Sequence, residues 1–533
     1  MKTSSKLKKL TAAILLAAGS QAAMALAPTE NPDITIYISG GGAQDPALDG
    51  FIEKLAIPGS FDLYYDNQNA SSPGQRFRAY FFKTNNSLIP GLSSGGSEVK
   101  VLIYKRTYGA AGYGVVPVLA DNYQTKQLDI KAAGAAVPPA GGEKFWRVAT
   151  TNLQNTVSDA GLTGVGIELF YGINYPAAVT GDDPFPLLDI SKASDKLTIK
   201  PAGGLAYGIG VTLDLYKTLQ AAQIATGTLP ADTKIGDYSK ESSIPTLSRN
   251  FLASLISGKI KSWDEVQIVD ERGIASGEKT GKVLGTLTSF AKDAGVEAPL
   301  TNGKNLVAVS NRNKGAAVGA AISATILNAP GTQNALNPAT SPGNPTNGPI
   351  VTQPPGTGQV DGVLTDWQNG GNASTYNLDG AKHWGIGQQS LDFNASGALG
   401  KDPAKPYRFI RIDGYAPTLN NVASGNYPVW AESTIQWRNQ ANNGPTGDKL
   451  VILERLADDI GSPAVAAAVN AKIVTTFGPS GVFALSSSNT IASNEPFDLN
   501  KPIVNYTHTN GGVLNNSIVP VYNSSKPGTV TLK

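Results

Sequence analysis

Two histidines, His383 and His508, supply all the imidazole in a chain of 533 residues that contains no cysteine. Neither sits in an H-x-x-x-H or H-E-x-x-H context, so zinc hydrolysis lacks ligands, and thiol chemistry is excluded outright. A Ser-His-acid triad would have to recruit one of these imidazoles. The nearest approach to a nucleophile elbow, Gly91-Leu92-Ser93-Ser94-Gly95, lies in a polar loop ahead of a strand rather than at a strand-to-helix turn. Nothing marks a pair of carboxylates for glycoside hydrolysis. The most informative chemistry is in the backbone. Ser39-Gly40-Gly41-Gly42-Ala43 follows a strand and precedes a helix, where N–H groups can converge on an anion. It is no dinucleotide fingerprint, because Ala43-Gln44-Asp45 stands where the third glycine would be needed.

The elements around that turn follow a repeated grammar. Ile34 to Ile38 is a β-branched and aromatic run, and Ala47 to Leu55 has helical spacing of apolar residues. Val99 to Tyr104, Gly203 to Val211 and Leu306 to Ser310 read as further strands. Leu213 to Ala225, Phe251 to Ile256, Ala316 to Leu327 and Ala457 to Thr476 read as helices. Strands alternating with helices predict an α/β architecture with a largely parallel sheet. Residues 328–379 turn to Pro, Gly, Asn and Thr and read as a long loop insertion. Lys501 to Lys533 holds short β-prone runs that predict an appended hairpin or edge strands.

The 43 basic and 41 acidic side chains are interspersed and give a formal charge of +2, which provides no footprint for nucleic acid. Lys2, Lys6, Lys8 and Lys9, the apolar run Leu10 to Ala18 and the A-x-A site Ala23-Met24-Ala25 read as a secretory signal peptide. The run is far short of the roughly 20 residues of a membrane span. The expectation is an exported chain starting at Leu26, periplasmic or extracellular, stabilised by core packing without disulfides.

Four stretches resemble the extracytoplasmic phosphate-binding proteins of phosphate ABC importers (the PstS-like family) and their secreted relatives, within the type II periplasmic binding proteins. They are Ile38 to Ala43; Phe251-Leu252-Ala253-Ser254-Leu255-Ile256-Ser257-Gly258-Lys259-Ile260-Lys261-Ser262-Trp263-Asp264; Val307-Ala308-Val309-Ser310-Asn311-Arg312; and Arg411-Ile412-Asp413-Gly414-Tyr415-Ala416-Pro417-Thr418 with Ser424 to Pro428. The resemblance implies an α/β, two-lobed type II periplasmic-binding-protein-like fold, with the Pro/Gly-rich insertion and the strand-rich tail added. The expected organisation is a signal peptide over 1–25, a discontinuous first lobe over 26–210 and 400–533, and a second lobe over 211–399. It further implies a small-molecule or oxyanion ligand held between the lobes, an ABC importer as partner, and neither cofactor, metal nor catalytic residue. Ser39, Gly41, Gly42, Ala43, Gln44, Asp159, Arg312 and Asn313 are the candidate ligand contacts. Gly258 and Trp263 are expected to be structural, ending a helix and packing the next turn.

The chain also departs from that family. After Arg312 it reads Asn313-Lys314-Gly315-Ala316-Ala317 instead of a serine- and threonine-bearing helix start. Gly109-Ala110-Ala111 and Thr163-Gly164 replace other hydroxyl or carboxylate anchors. Each lost hydrogen bond to a charged ligand is worth about 1.5–3 kcal/mol, against about 8 kcal/mol for micromolar binding. Two readings stay open: a non-enzymatic solute-binding protein whose ligand is less charged than phosphate, and a surface or assembly protein that keeps the fold, has lost the pocket and self-associates through its C-terminal strands.

Overall fold

The computed structural model describes residues 26–522 except 67–75, 140–144, 330–334, 341–345, 392–404, 487–496, 515–520 and the single positions 133, 135, 276, 278, 279, 473, 476, 477, 480, 505, 508, 511 and 512. The leader expected over 1–25 and His508 lie outside the described residues.

The strands that position the glycine turn are β1 (Ile34–Gly40), β2 (Asp62–Tyr65), β3 (Phe77–Thr84), β4 (Val99–Arg106) and β5 (Ala160–Thr163). β1 lies between β4 and β5 and runs parallel to both, so the turn after Gly40 leaves the sheet beside Arg106 and Thr163. Helix α1 (Asp45–Leu55) follows at once and buries Ala47, Leu48, Phe51, Ile52 and Leu55, the stripe expected from their spacing.

Strand β6 (Leu197–Thr212) joins this group to a second one. Its first part, through Ala206, pairs antiparallel with β11 (Trp430–Arg438), which itself pairs with β5. From Tyr207 to Val211 it pairs instead with β9 (Gly385–Ser390), which lies beside β7 (Ala308–Ser310) and β8 (Ile350–Thr352). β10 (Tyr407–Phe409) adds to the same end of β6. The chain returns through Tyr427–Trp430, where the Tyr427 hydroxyl donates to Tyr207 O (2.6 Å) and Tyr207 N–H to Val429 O (2.9 Å). Helices α2 (Leu213–Ala225), α3 (Arg249–Ile256), α4 (Ala317–Ile326) and α5 (Thr357–Asn369) belong to the second group. α6 (Gly447–Ile460), α7 (Pro463–Asn470) and β12 (Val482–Leu485) pack back on the first.

The architecture is α/β, as expected, but the sheet is mixed rather than largely parallel, because β6, β11 and β3 run against their neighbours. The single helix expected over 457–476 is two. Gly461-Ser462-Pro463 breaks it, with the Ser462 hydroxyl accepting from Val465 N–H and Pro463 opening the next helix. The stretch 328–379 is not all loop: it contributes β8 and the 13-residue α5, which buries Val360, Val363, Leu364 and Trp367. In the tail, Tyr506–Thr507 pairs antiparallel with Val521–Tyr522, and Thr509–Asn510 with Val513–Leu514, so it is strand-bearing as expected. One continuous apolar core runs through both strand groups, and a smaller cluster around Tyr64, Phe81 and Tyr104 covers the other face of the first. No described helix is long and apolar enough to cross a membrane.

Candidate functional site

Gly40 closes β1 at φ +127°, where a Cβ would lie 1.9 Å from Leu162 O, so the turn requires glycine there. The ammonium of Lys105 lies beneath it, completely buried. It donates to Gly40 O (3.0 Å), Gly41 O (3.1 Å), Arg106 O (3.0 Å) and the Thr107 hydroxyl (3.1 Å). Asp45 Oδ1 is 3.5 Å away. Burial pushes Lys105 down to about 8, with Asp45 opposing that fall. The network continues through Arg78, which contacts Asp45 (2.9 Å) and both oxygens of Asp49 (2.9 Å), while Tyr80 and Tyr65 donate to Asp49 at 2.7 and 3.1 Å. Two cations facing two carboxylates keep the buried set neutral and lock the start of α1 to β3 and β4.

Among the candidate contacts of the first group, Ser39, Gly41 and the Gln44 side-chain amide are engaged within the protein. The Ser39 hydroxyl donates to Tyr113 O (2.6 Å) and accepts from Ser158 (2.9 Å). Gly41 N–H donates to Leu162 O (3.0 Å), and Gln44 Nε2 to Thr163 O (2.6 Å). Gly42 abuts Thr107 and Asp45, and Ala43 packs on the core. Asp159 stands elsewhere, at the opposite end of β5, where it accepts from Tyr37 N–H and Lys449 Nζ, both at 2.8 Å. The structure does not bring it to the turn.

In the second group, Arg312 follows β7 and is nearly buried. Its guanidinium donates to the Thr357 hydroxyl (3.2 Å) and to Pro355 O (2.6 Å) at the start of α5. Asn313 N–H reaches Pro354 O at 3.4 Å. These two stay together, held by the β8–α5 connection.

The two groups meet directly. Gly112 N–H donates to Gly315 O (2.8 Å), and Pro176 is wedged between them: a Cβ on Gly112 or on Gly315 would fall 2.3 or 2.7 Å from Pro176 Cβ. Pro176 belongs to a strap over 175–188. Asp182 anchors it, taking the buried Arg106 guanidinium and the Tyr113 hydroxyl, and Phe185 packs against the rings of Tyr113 and Tyr123. The Tyr207 hydroxyl donates to Gly164 O, and a Cβ on Gly164 would meet Ala317 of α4 at 2.9 Å. Beside this seam, burial raises Glu168 to about 7, with the buried carboxylate of Glu432 adding to the rise.

Lys105, Pro176, Glu168 and Glu432 were not among the residues expected at the site. A signal existed for two of them: Lys105 and Glu432 interrupt runs of apolar and β-prone residues, where a charge must be paired or shifted. The remaining chemistry is structural. His383 contacts Asp379 (2.9 Å) and the Thr301 hydroxyl (3.4 Å) and stands edge-on to Trp367, while Ser93 donates to Asp448 (2.7 Å). Among the described residues no cluster of His, Asp and Glu is arranged to hold a metal ion.

No family model matches the chain, and no curated protein matches it. Solved structures similar to it include a Clostridium perfringens protein assigned as a phosphate ABC transporter substrate-binding protein with bound phosphate (12% identity, TM-score 0.35, 84% of this chain and 99% of that one). An ABC-type phosphate transport receptor from Vibrio cholerae (12%, TM-score 0.33, 81% and 95%) and PstS from Borrelia burgdorferi (11%, TM-score 0.31, 83% and 97%) are also similar.

Proposed function

We propose that this chain is an exported, non-enzymatic solute-binding protein that takes a small ligand at the seam between its two strand groups. One observation carries the reading: β6 changes partners between Ala206 and Tyr207, and the chain returns through Tyr427–Trp430, so two crossings join two halves whose glycine-bearing loops meet face to face. Such a joint suits hinge opening around a ligand. In this reading the lobe limits expected at 210 and 400 move to these crossings, and β10 belongs to the second lobe. An ABC importer is the partner, and the compartment is the periplasm or beyond.

A second reading, a surface or assembly protein without a pocket, is favoured by the Gly112–Gly315 hydrogen bond, the Pro176 wedge and the continuous core. Calorimetric titration of the mature chain with phosphate, other oxyanions and neutral sugars, joined to small-angle scattering, separates the two. Saturable binding with a change in radius of gyration supports the solute-binding reading. No binding, together with polymers that vanish on removing residues 501–533, supports the other.

A further inference from the structure

Away from the seam, on the other face of the first strand group, Leu26 is 1% exposed and belongs to the smaller apolar cluster with Tyr64, Phe77, Phe81 and Tyr104. Both of its backbone groups are held. The Tyr64 hydroxyl donates to Leu26 O (2.9 Å), and Leu26 N–H faces the carboxyl of Asp62 as a donor. Asp62 and Tyr64 stand two apart on β2, so their side chains share the face that Leu26 covers.

Asp62 is a buried carboxyl group with an incomplete set of partners. The Trp146 indole donates to Oδ1 (2.9 Å), while Oδ2 has no hydrogen-bond partner. No lysine or arginine among the described residues forms an ion pair with it. Lys100 Nζ and Lys131 Nζ are both turned to Glu30, the first to its carboxylate (2.8 Å) and the second to its carbonyl, and the Glu30 charge opposes ionisation of Asp62. Burial, the larger cause, raises Asp62 to about 6, against the indole and the Leu26 amide. Tyr64 is raised by the same burial, stays neutral and supplies no charge. What the carboxylate lacks is a cation.

Hydrolysis ahead of Leu26 supplies one. A peptidase adds water across the Ala25–Leu26 bond: the C–N bond breaks, Ala25 leaves as a carboxylate, and the Leu26 nitrogen takes up the proton as an ammonium. One amide N–H thus becomes three N–H and a positive charge, on the atom that already faces Asp62. The A-x-A pattern ending at Ala25 and the position of Asp62 select the same bond independently. We infer that Asp62 is the receptor for the α-ammonium of Leu26, so that removal of the leader writes a buried ion pair into β2 and stabilises the processed chain over the unprocessed one. The cut itself rests on the export proposed above; the ion pair goes beyond it.

The pair has a pH signature. With the α-amine blocked, Asp62 is raised from 3.8 to about 6, so its contribution is complete below about pH 3.8 and is lost as pH climbs through 6. A free α-ammonium offsets that loss, and its own share goes only above its value when paired, which exceeds the about 7.7–8.0 of an ordinary chain terminus. The advantage of the free terminus is therefore absent in acid, grows through pH 6 and falls again in alkali.

The test begins with export of the full chain in a bacterial host and intact mass of the product, which places the cut. The chain starting at Leu26 is then compared with the same chain acetylated at the Leu26 nitrogen and with one that retains Ala25, each with Asp62 and with Asp62→Asn. Urea denaturation over a range of pH follows once circular dichroism shows the variants folded. The pH dependence of α-amine acylation, read by mass spectrometry, gives the value of the terminus in the parent chain alone. The expected result is a cut at Leu26 and, at neutral pH, an unfolding equilibrium constant about tenfold smaller for the free terminus than for either blocked chain, the equivalent of one pKa unit. The gap closes in acid and in Asp62→Asn, and the α-amine titrates about one unit above an ordinary terminus. Equal stability of the three chains, a gap that persists in Asp62→Asn, or an α-amine with an ordinary value overturns the inference and leaves export and solute binding standing. A product cut at another bond, or none exported, overturns it together with the export reading.

Discussion

Replacing Gly315 by alanine tests whether the closed seam is the state in solution. Gly315 has φ +88°, and a Cβ there would come within 2.7 Å of Pro176 Cβ and 3.2 Å of Pro176 Cα. Holding alanine in the left-handed region costs about 1 kcal/mol, and forcing a methyl into a filled contact costs about 1–3 kcal/mol more. The expected loss is therefore about 2–4 kcal/mol, a large part of a typical stability of about 5–15 kcal/mol. Urea denaturation followed by tryptophan fluorescence measures it, since buried Trp384 and Trp430 lie on the two strand groups. Pro176→Gly removes the Cβ, the closest clashing atom, and leaves φ at residue 315 untouched. In that background Gly315→Ala should cost only the backbone part, about 1 kcal/mol, giving a coupling of about 1–3 kcal/mol between the two sites. Strict additivity would mean that Pro176 does not touch Gly315 in solution, and the closed seam would be refuted.

Three further outcomes follow from the buried charges. Lys105, lowered to about 8 in the folded chain from 10.5, binds its proton less tightly there than in the unfolded chain. Stability should therefore rise between about pH 8 and 10.5 by up to about 3 kcal/mol, and the rise should be missing from Lys105→Met in paired denaturation curves. Glu168 is raised from 4.5 to about 7, so its contribution is complete below about pH 4.5 and is lost as pH climbs through 7. Glu168→Gln should flatten that loss, at most about 3 kcal/mol, in thermal melts from pH 5 to 8. Asp182→Asn removes the carboxylate that holds the buried Arg106 and should cost about 3–5 kcal/mol while loosening the strap. Chymotrypsin, offered the exposed Leu187 ahead of Leu188, should then cut the strap faster than in the parent, and equal rates would deny the anchor.

Elements with a single strong period were legible in the sequence. The β-branched run before Gly40, the stripe Leu48, Phe51, Ile52 and Leu55, and the helix read over Phe251 to Ile256 belong to local patterns that packing reinforces. α5 was not legible, because Gly356 and Gly358 at its start lower helix propensity, while Val360, Val363, Leu364 and Trp367 gain their stability from packing on β9 and on β6, the latter well over a hundred residues away. The mixed sheet was hidden for a similar reason: the direction of β11 is decided by its pairing with β6, more than 200 residues away. Among the site residues, Ser39, Gly41, Gly42 and Gln44 fall at the turn as expected, and Arg312 with Asn313 on the facing loop. Asp159 does not join them, since a short-range pattern around it contains no trace of Lys449 on α6.

What the sequence could give least was the sign of the site. A glycine turn before a helix reads as an anion cradle because its amides are counted and its surroundings are not. Here Lys105 sits under the turn, but its donors point to the carbonyls of Gly40 and Gly41, and its charge is balanced within the Asp45–Arg78–Asp49 set, so it lends little field to the seam. A Cβ on Gly42 would meet the Thr107 methyl at 2.6 Å and the Asp45 carboxylate at 3.2 Å. Lys105→Met therefore gives a direct electrostatic test. If Lys105 were a ligand-binding cation, the variant would lose affinity in proportion to ligand charge, with a strong dependence on ionic strength. If it positions the turn, any ligand of the seam should weaken by the same factor at low and at high salt, with the loss following the disordered Gly40–Gly42 backbone seen by hydrogen exchange. A salt-dependent loss would make Lys105 a ligand-binding cation and refute its role as a support of the turn.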